Sequence, residues 1–162
     1  MKKILLLILF SFISYSASAQ YKWTGISYYH NTGPVSPEYQ YNYILQINTE
    51  GNSKLEFTKN GKTNTFEFNV GKKGLKTLNN SLLRTKLLSE KIDTISEEMN
   101  LIGGTVNSAT IFLVKPEGWK KRKSPVIMIP NGMIFRKSAE INDMYQTMEK
   151  LVPDHIWKEA ME

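Results

Sequence analysis

The chain has 162 residues, the length of one ordinary domain, and carries a formal net charge of +6. Hydrophobic residues make up 41% of it and charged residues 22%, a balance that excludes a disordered or fibrous chain. It contains no cysteine, which excludes disulfide scaffolds, Cys-ligated zinc and iron–sulfur sites, and thiol nucleophiles.

The first residues have the three parts of a secretory signal peptide. A positive start at Lys2-Lys3 is followed by an apolar run over 4–13 and by small residues that end at Ala19. The apolar run is shorter than the roughly 20 residues that a membrane-spanning helix needs. The sequence therefore predicts a signal peptide over 1–19 and a single domain over 20–162 without a transmembrane span. We expect the protein to be exported to the periplasm or outside the cell.

The basic excess becomes small once this segment is removed. Without Lys2 and Lys3, 19 basic residues stand against 15 acidic ones, a net charge of +4. They are spread along the chain, whereas a nucleic-acid-binding domain concentrates them on one face. We therefore expect no nucleic acid among the partners.

Two strands are predicted near the N-terminus. Residues 21–30 form the first, and residues 39–48 alternate strictly between apolar and polar positions, which is typical of a half-buried antiparallel strand. The side chains on its apolar face are Tyr39, Tyr41, Tyr43, Leu45 and Ile47. A three-residue turn with Gly51 in a left-handed conformation then sets Leu45 opposite Leu55 in a third strand.

A second hairpin extends this meander. Asn60-Gly61 is a strong signal for a type I′ turn, and its register places Leu55 opposite Phe66. We expect Phe57, Phe66 and Phe68 to be buried on one face of the sheet.

A helix is predicted to cover that face. Its apolar positions Leu75, Leu78 and Leu82 recur at helical spacing, which predicts a helix over 75–88. The next stretch, 89–104, is ambiguous, because its apolar residues fit a second helical stripe that Gly103-Gly104 would end. Those apolar residues are Ile92, Ile95 and Met99.

The second half repeats the order of strands and helix. Residues 105–115 and 126–129 are predicted strands, and the flanking Pro125 and Pro130 favour an edge position for the latter. A helix is expected after an N-cap at Ser138, with an apolar stripe, and a short last helix is expected after Pro153. The stripe consists of Ile141, Met144, Tyr145, Met148 and Leu151.

This order predicts an α+β fold, an antiparallel sheet made of a meander plus a hairpin, with two amphipathic helices packed on one face. The later strands are apolar on both faces, although one helical layer covers only one. Either Ile111 and Leu113 or Phe112 and Val114 therefore need another cover, which the N-terminal strand, the segment around Trp157 or a partner could supply.

The chain also resembles small exported bacterial domains of unknown function. The resemblance covers most of the residues after the signal and rests on the Leu-rich helix, Ile102-Gly103-Gly104, an apolar strand, a basic loop and Ile129-Pro130. It implies the same α+β fold and says nothing about activity.

No residue pattern indicates a catalytic or metal site. Asp154 and His155 are neighbours at a predicted helix start, where they point in different directions and form no catalytic dyad. The aspartates match no calcium loop, and no histidine stands at metal-ligand spacing. We therefore expect no catalytic residue, no metal and no cofactor, although carboxylates that converge only in the fold leave no pattern in the sequence.

Two segments are candidates for contact with a partner. Tyr28, Tyr29 and His30 end the first strand, and aromatic side chains with polar tips are common in interfaces. A loop with basic and aromatic side chains could engage a protein or an anionic envelope polymer. The loop residues are Trp119, Lys120, Lys121, Arg122 and Lys123.

We interpret the chain as an exported envelope protein, more typical of a non-enzymatic binding or inhibitor/immunity-type module for a macromolecule than of an enzyme. The alternatives are a small periplasmic hydrolase with carboxylates that converge in the fold, or a structural component of the envelope.

The export prediction can be checked by mass spectrometry. If signal peptidase cleaves after Ala19, protein extracted from the envelope should begin at Gln20. An intact mass that retains the first 19 residues would contradict both the cleavage site and the location.

Overall fold

A computed structural model describes residues 21–89, 94–96, 104–115, 117–118, 120–121, 125–131, 134–135 and 137–162. It contains eight strands within these ranges. The strands are β1 (Trp23–Asn31), β2 (Tyr41–Asn48), β3 (Asn52–Lys59), β4 (Lys62–Asn69), β5 (Thr94–Ser96), β6 (Val106–Leu113), β7 (Val126–Ile129) and β8 (Ile134–Phe135). Six of them form one antiparallel sheet in the order β4-β3-β2-β1-β6-β7, and β5 pairs with β8 separately.

Three helices lie on one face of this sheet: α1 (Lys72–Arg84), α2 (Ser138–Lys150) and α3 (Asp154–Met161). Their buried side chains join those of the central strands in one hydrophobic cluster. The predicted α+β fold with an antiparallel sheet is therefore confirmed. Among the described helices, none combines the length and the apolar character needed to cross a bilayer.

Both predicted hairpins are present in the expected register. Gly51 has a φ of 90°, and Leu45 lies opposite Leu55. Asn60 and Gly61 have φ values of 53° and 74°, as a type I′ turn requires, and Leu55 lies opposite Phe66. The meander is thus fixed by turns whose conformations are local properties of the sequence.

Two boundaries in the first half differ from the prediction. Tyr39 lies in a short 3₁₀ helix over Pro37–Tyr39 and is 68% exposed, so it does not share the buried face of β2. Proline at the start of this turn favours a helical conformation over an extended one.

Helix α1 begins three residues before the predicted start and ends at Arg84. Its end coincides with a capping arrangement, because the Thr85 hydroxyl donates to the Leu82 carbonyl and accepts from the Leu87 N–H. Leu87 and Leu88, predicted as helical, are buried in the turn that follows.

The second half departs from prediction in its details. In the segment that the sequence left ambiguous, Ile95 lies in a strand, β5, and Ile92 and Met99 lie outside the described residues. Strand β7 is an edge of the main sheet, as its flanking prolines predict. Ser138 is the first helical residue of α2, one position after the cap at Lys137.

Burial of the phenylalanines follows the strand order. Phe57 is fully buried in β3, whereas Phe66 and Phe68 are only half-buried, because β4 is an edge strand with a neighbour on one side. The prediction that all three are buried is therefore wrong for the two residues of β4.

This difference predicts unequal mutational losses. Leu55→Ala should lower the free energy of unfolding by about 2–5 kcal/mol, because Leu55 is wholly buried. Phe66→Ala should lower it by less, about 1–3 kcal/mol. Urea denaturation measures both, and Thr65→Ala on the exposed side of β4 is the control. A Phe66 loss as large as that of Leu55 would contradict the edge position of β4.

Candidate functional site

The alternation of β1 separates the predicted aromatic residues onto two faces. Tyr28 and His30 lie on the face covered by the helices, and Tyr29 lies on the opposite one, which we call the open face. Tyr28 is 1% exposed, which places it in the core and not on a partner-binding surface. His30 and Tyr29 are half-buried.

The basic loop between β6 and β7 is described only in part. Lys120 and Lys121 are exposed, whereas Trp119, Arg122 and Lys123 lie outside the described residues. The loop connects two strands at one edge of the sheet, while the side chains of Tyr28 and His30 pack under the helices. The predicted residues therefore do not form one continuous site among the described parts of the chain.

Exposed apolar side chains lie together on the open face. Ile111 and Leu113 are buried, so Phe112 and Val114 are the residues that project outward. Phe112 lies opposite Val126, and the next residue of β7 on that face is Met128. Their exposures are 40%, 44% and 71% for Phe112, Val126 and Met128. We call these three residues the apolar strip.

Neither intramolecular cover proposed for this face lies over the strip. The N-terminal strand β1 is a central member of the sheet. Trp157 packs against Tyr43 and Phe57 on the helix-covered face.

A shallow groove of about 490 Å³ runs from the strip toward the middle of the open face. Gly25 forms part of its lining and lies opposite Phe112, so no side chain separates the ring from the groove. Lys54 and Glu67 line the groove as well. The groove therefore has one apolar end and one charged end.

The helix-covered face holds a cluster that sequence reasoning missed. Glu149 in α2 accepts hydrogen bonds at Oε1 from the hydroxyls of Tyr43 (2.6 Å) and Tyr28 (3.0 Å). Tyr145, one turn before Glu149, stacks on Tyr28 with ring centroids 4.5 Å apart. The spacing of Tyr145 and Glu149 on one helix face was the available signal. Tyr28 and Tyr43 are buried, so both hydroxyls that lie within hydrogen-bonding distance of the carboxylate belong to side chains confined by the core.

The Tyr28 hydroxyl also connects this cluster to β6. It lies 2.9 Å from Oδ1 of Asn107 and 3.4 Å from Nδ1 of His30, and these two atoms are 3.0 Å apart. A phenol has one proton, so Glu149 and Asn107 compete for it. The orientation of the Asn107 amide is thereby linked to Glu149.

Burial and the neighbouring carboxylate both disfavour the ionised phenols. Burial, the larger cause, and then Glu149 raise the pKa of Tyr28 and of Tyr43 well above its ordinary value. Burial alone raises the pKa of Tyr145, whose hydroxyl has no hydrogen-bond partner. All three phenols therefore stay neutral over the physiological range.

Beside this cluster, a cleft of about 380 Å³ opens between the ends of β1 and β2 and the junction of α2 and α3. We call it the aromatic cleft. It is lined by His30, Tyr41, Tyr43, Glu149, Lys150, Val152, Asp154, Trp157 and Met161. Asp154 contributes to it, whereas His155 is exposed and does not. Within the described ranges, no three His, Asp or Glu side chains are grouped so that they could hold a metal ion.

Comparison with known proteins gives no family for the chain. No protein-family model matches it, and neither does any curated protein. Any function therefore has to rest on the chemistry of the open face and of the aromatic cleft.

The raised phenol pKa values predict loss of stability in alkali. Above about pH 10 the unfolded chain releases tyrosine protons that the folded chain retains, so stability falls as pH rises. Each such tyrosine contributes a slope of up to about 1.4 kcal/mol per pH unit. Tyr43→Phe should make the decline of the urea midpoint between neutral pH and about pH 11 shallower.

The matched control is Tyr39→Phe, because Tyr39 is a tyrosine on the exposed surface of the same fold. It should leave the pH dependence unchanged. Equal slopes for Tyr43→Phe and the unmodified protein would mean that the Tyr43 phenol ionises as freely in the folded chain as in the unfolded one.

Proposed function

We propose that this chain is an exported envelope protein that acts as a non-enzymatic binding module of the inhibitor or immunity type, and that its partner is a protein that covers the apolar strip. The observation that carries the proposal is the exposure of Phe112, Val126 and Met128 side by side on the open face. Adjacent exposed apolar side chains rimmed by polar ones are typical of interaction surfaces.

The rest of the open face supports a localised contact. The outward residues of β3 and β4 are polar or charged and are suited to water, as Lys54, Glu56 and Thr65 illustrate. In the middle of this face Ile44 and Tyr29 are half-buried, and the exposed apolar side chains lie at the edge formed by β6 and β7. A sheet that needed only solubility would carry polar residues there as well.

The strip also has the surroundings of an interface. It lies at an edge strand, where the backbone of a partner can approach, and Lys120 and Lys121 belong to the loop that joins its two strands. Charges at a rim mainly set the rate of association and its salt dependence, whereas the apolar centre supplies affinity. An acidic partner surface would suit this arrangement.

A small hydrolase is the second candidate, because Glu149 and Asp154 line one cleft. Glycoside hydrolysis uses such a pair, with one carboxyl group that exchanges its proton during the reaction. Here Oε1 of Glu149 already accepts two phenolic hydrogen bonds. That arrangement favours a fixed carboxylate over a group that alternates between acid and base.

The binding proposal predicts that one exposed substitution abolishes partner recovery. Met128→Lys places a charge at the most exposed position of the strip and should remove the partner from affinity captures of native envelope. The melting temperature should change little, because Met128 is 71% exposed.

Thr65→Lys is the matched control, since Thr65 is exposed on the same face but lies on the opposite edge strand. It should leave recovery intact. Equal recovery with both variants would contradict a contact at the strip, and loss with both would show an effect of added charge on the whole face.

A further inference from the structure

The ring of Trp157 forms one wall of the aromatic cleft and is held in position by its neighbours. The indole N–H of Trp157 donates to the backbone carbonyl of Glu149 (3.2 Å), which settles the orientation of the ring. On one side the ring meets Tyr43 edge-to-face, with centroids 5.2 Å apart and planes at 69°. Trp157 is half-buried and lines the cleft, so it offers a rigid apolar surface to a ligand.

The cleft also holds a fixed hydrogen-bond acceptor. The Glu149 carboxylate lines it, and buried phenols of Tyr28 and Tyr43 hold one of its oxygens. Hydrogen bonds to a carboxylate are charge-assisted and therefore strong. The carboxylate is thus oriented before any ligand arrives, which lowers the entropic cost of binding.

Hydrogen-bond donors and acceptors complete the lining of the cleft. Lys150 can donate, Asp154 can accept, and Tyr41 and His30 add a hydroxyl and an imidazole. One lysine stands against two carboxylates, so the charges partly cancel. This lining suits a neutral ligand that has many hydroxyl groups and one apolar face better than it suits an ion.

The orientation of the rings argues against a cationic ligand. His30, Tyr41 and Tyr43 stack on one another with interplanar angles of 13–22°. Stacked rings cover each other's faces, so mainly their edges and polar atoms remain for the cleft. A cation needs an aromatic face, because ring edges carry the positive end of the quadrupole, so these three rings offer it no site and Trp157 is the face for which a cation and a sugar would compete.

We propose that the aromatic cleft binds a pyranose ring, which stacks on Trp157 and donates hydroxyl hydrogen bonds to Glu149. The volume of about 380 Å³ lies in the range of small-ligand sites, which is about 300–1,000 Å³. The site lies on the helix-covered face, so it is separate from the apolar strip and does not depend on the protein partner proposed there.

Nuclear magnetic resonance titration of the protein without its signal segment tests this assignment. The probes are methyl glucoside, methyl galactoside, methyl mannoside and methyl N-acetylglucosaminide, each titrated to high millimolar concentration. At least one should shift the indole N–H resonance of Trp157 in a saturable way. Glu149→Gln should weaken that ligand by about tenfold or more at this resonance, and Trp157→Phe should do the same when binding is followed at the backbone amide of Asp154.

The control is Trp23→Phe. Trp23 is an indole outside the cleft, whose N–H donates to Asn79, and its replacement should leave the affinity unchanged. Asp154→Asn is a second cleft variant at an exposed position; it should weaken binding without unfolding the chain.

A second series of titrations distinguishes a free sugar from a glycan chain as the ligand. It uses oligosaccharides built from the pyranose that binds best. If the oligosaccharide binds more tightly than the monosaccharide, the cleft recognises a glycan chain. If the two bind equally, the cleft recognises a single ring. Saturable binding of tetramethylammonium in place of the pyranosides would overturn the assignment, as would the absence of any shift at Trp157.

Discussion

The two hydrogen bonds that Glu149 accepts from Tyr28 and Tyr43 connect the helical layer to the centre of the sheet. Tyr28 lies in β1 and Tyr43 in β2, so one carboxylate ties α2 to both central strands. Burial of a phenol or a carboxylate costs free energy unless it is hydrogen-bonded, so Glu149 and the phenols of Tyr28 and Tyr43 each lower the cost of burying the other. The backbone of Glu149 then fixes Trp157 in α3. Glu149 therefore contacts both the sheet and the last helix, which also buries Ile156 and Ala160 in the core.

The sheet has two unlike faces, and the open one is itself divided. Toward β4 its side chains are polar, and its exposed pair Lys54 and Glu56 forms an ion pair of 2.5 Å. Toward β7 it carries the apolar strip instead. Polar side chains suit the first half to water, whereas exposed apolar groups add no stability, so folding alone leaves the apolar strip unexplained. This difference is the basis of the proposal that a protein covers the strip.

The apolar strip and the aromatic cleft lie on opposite sides of the sheet, and this has a consequence for function. A partner on the open face would leave the cleft accessible, because Trp157 and Glu149 face the helical side. Strand β1 contributes to both sides through its alternation, with His30 in the cleft and Tyr29 on the open face. If both proposals hold, one chain would bind a saccharide and a protein at once, as an adaptor between them requires.

Local chemistry determined the meander, because the turns at Gly51 and Asn60-Gly61 impose their conformations within a few residues and thereby set the register of Leu45, Leu55 and Phe66. The apolar stripe of α2 could also be predicted from the sequence, since the spacing of its residues is set by the period of the helix. The cluster around Glu149 was not, because Tyr28 and Glu149 are 121 positions apart and meet only when α2 packs on β1. The sequence of β6 showed two apolar faces, but a period of two cannot say which face the helices cover. Packing decided that Ile111 is buried and Phe112 is exposed.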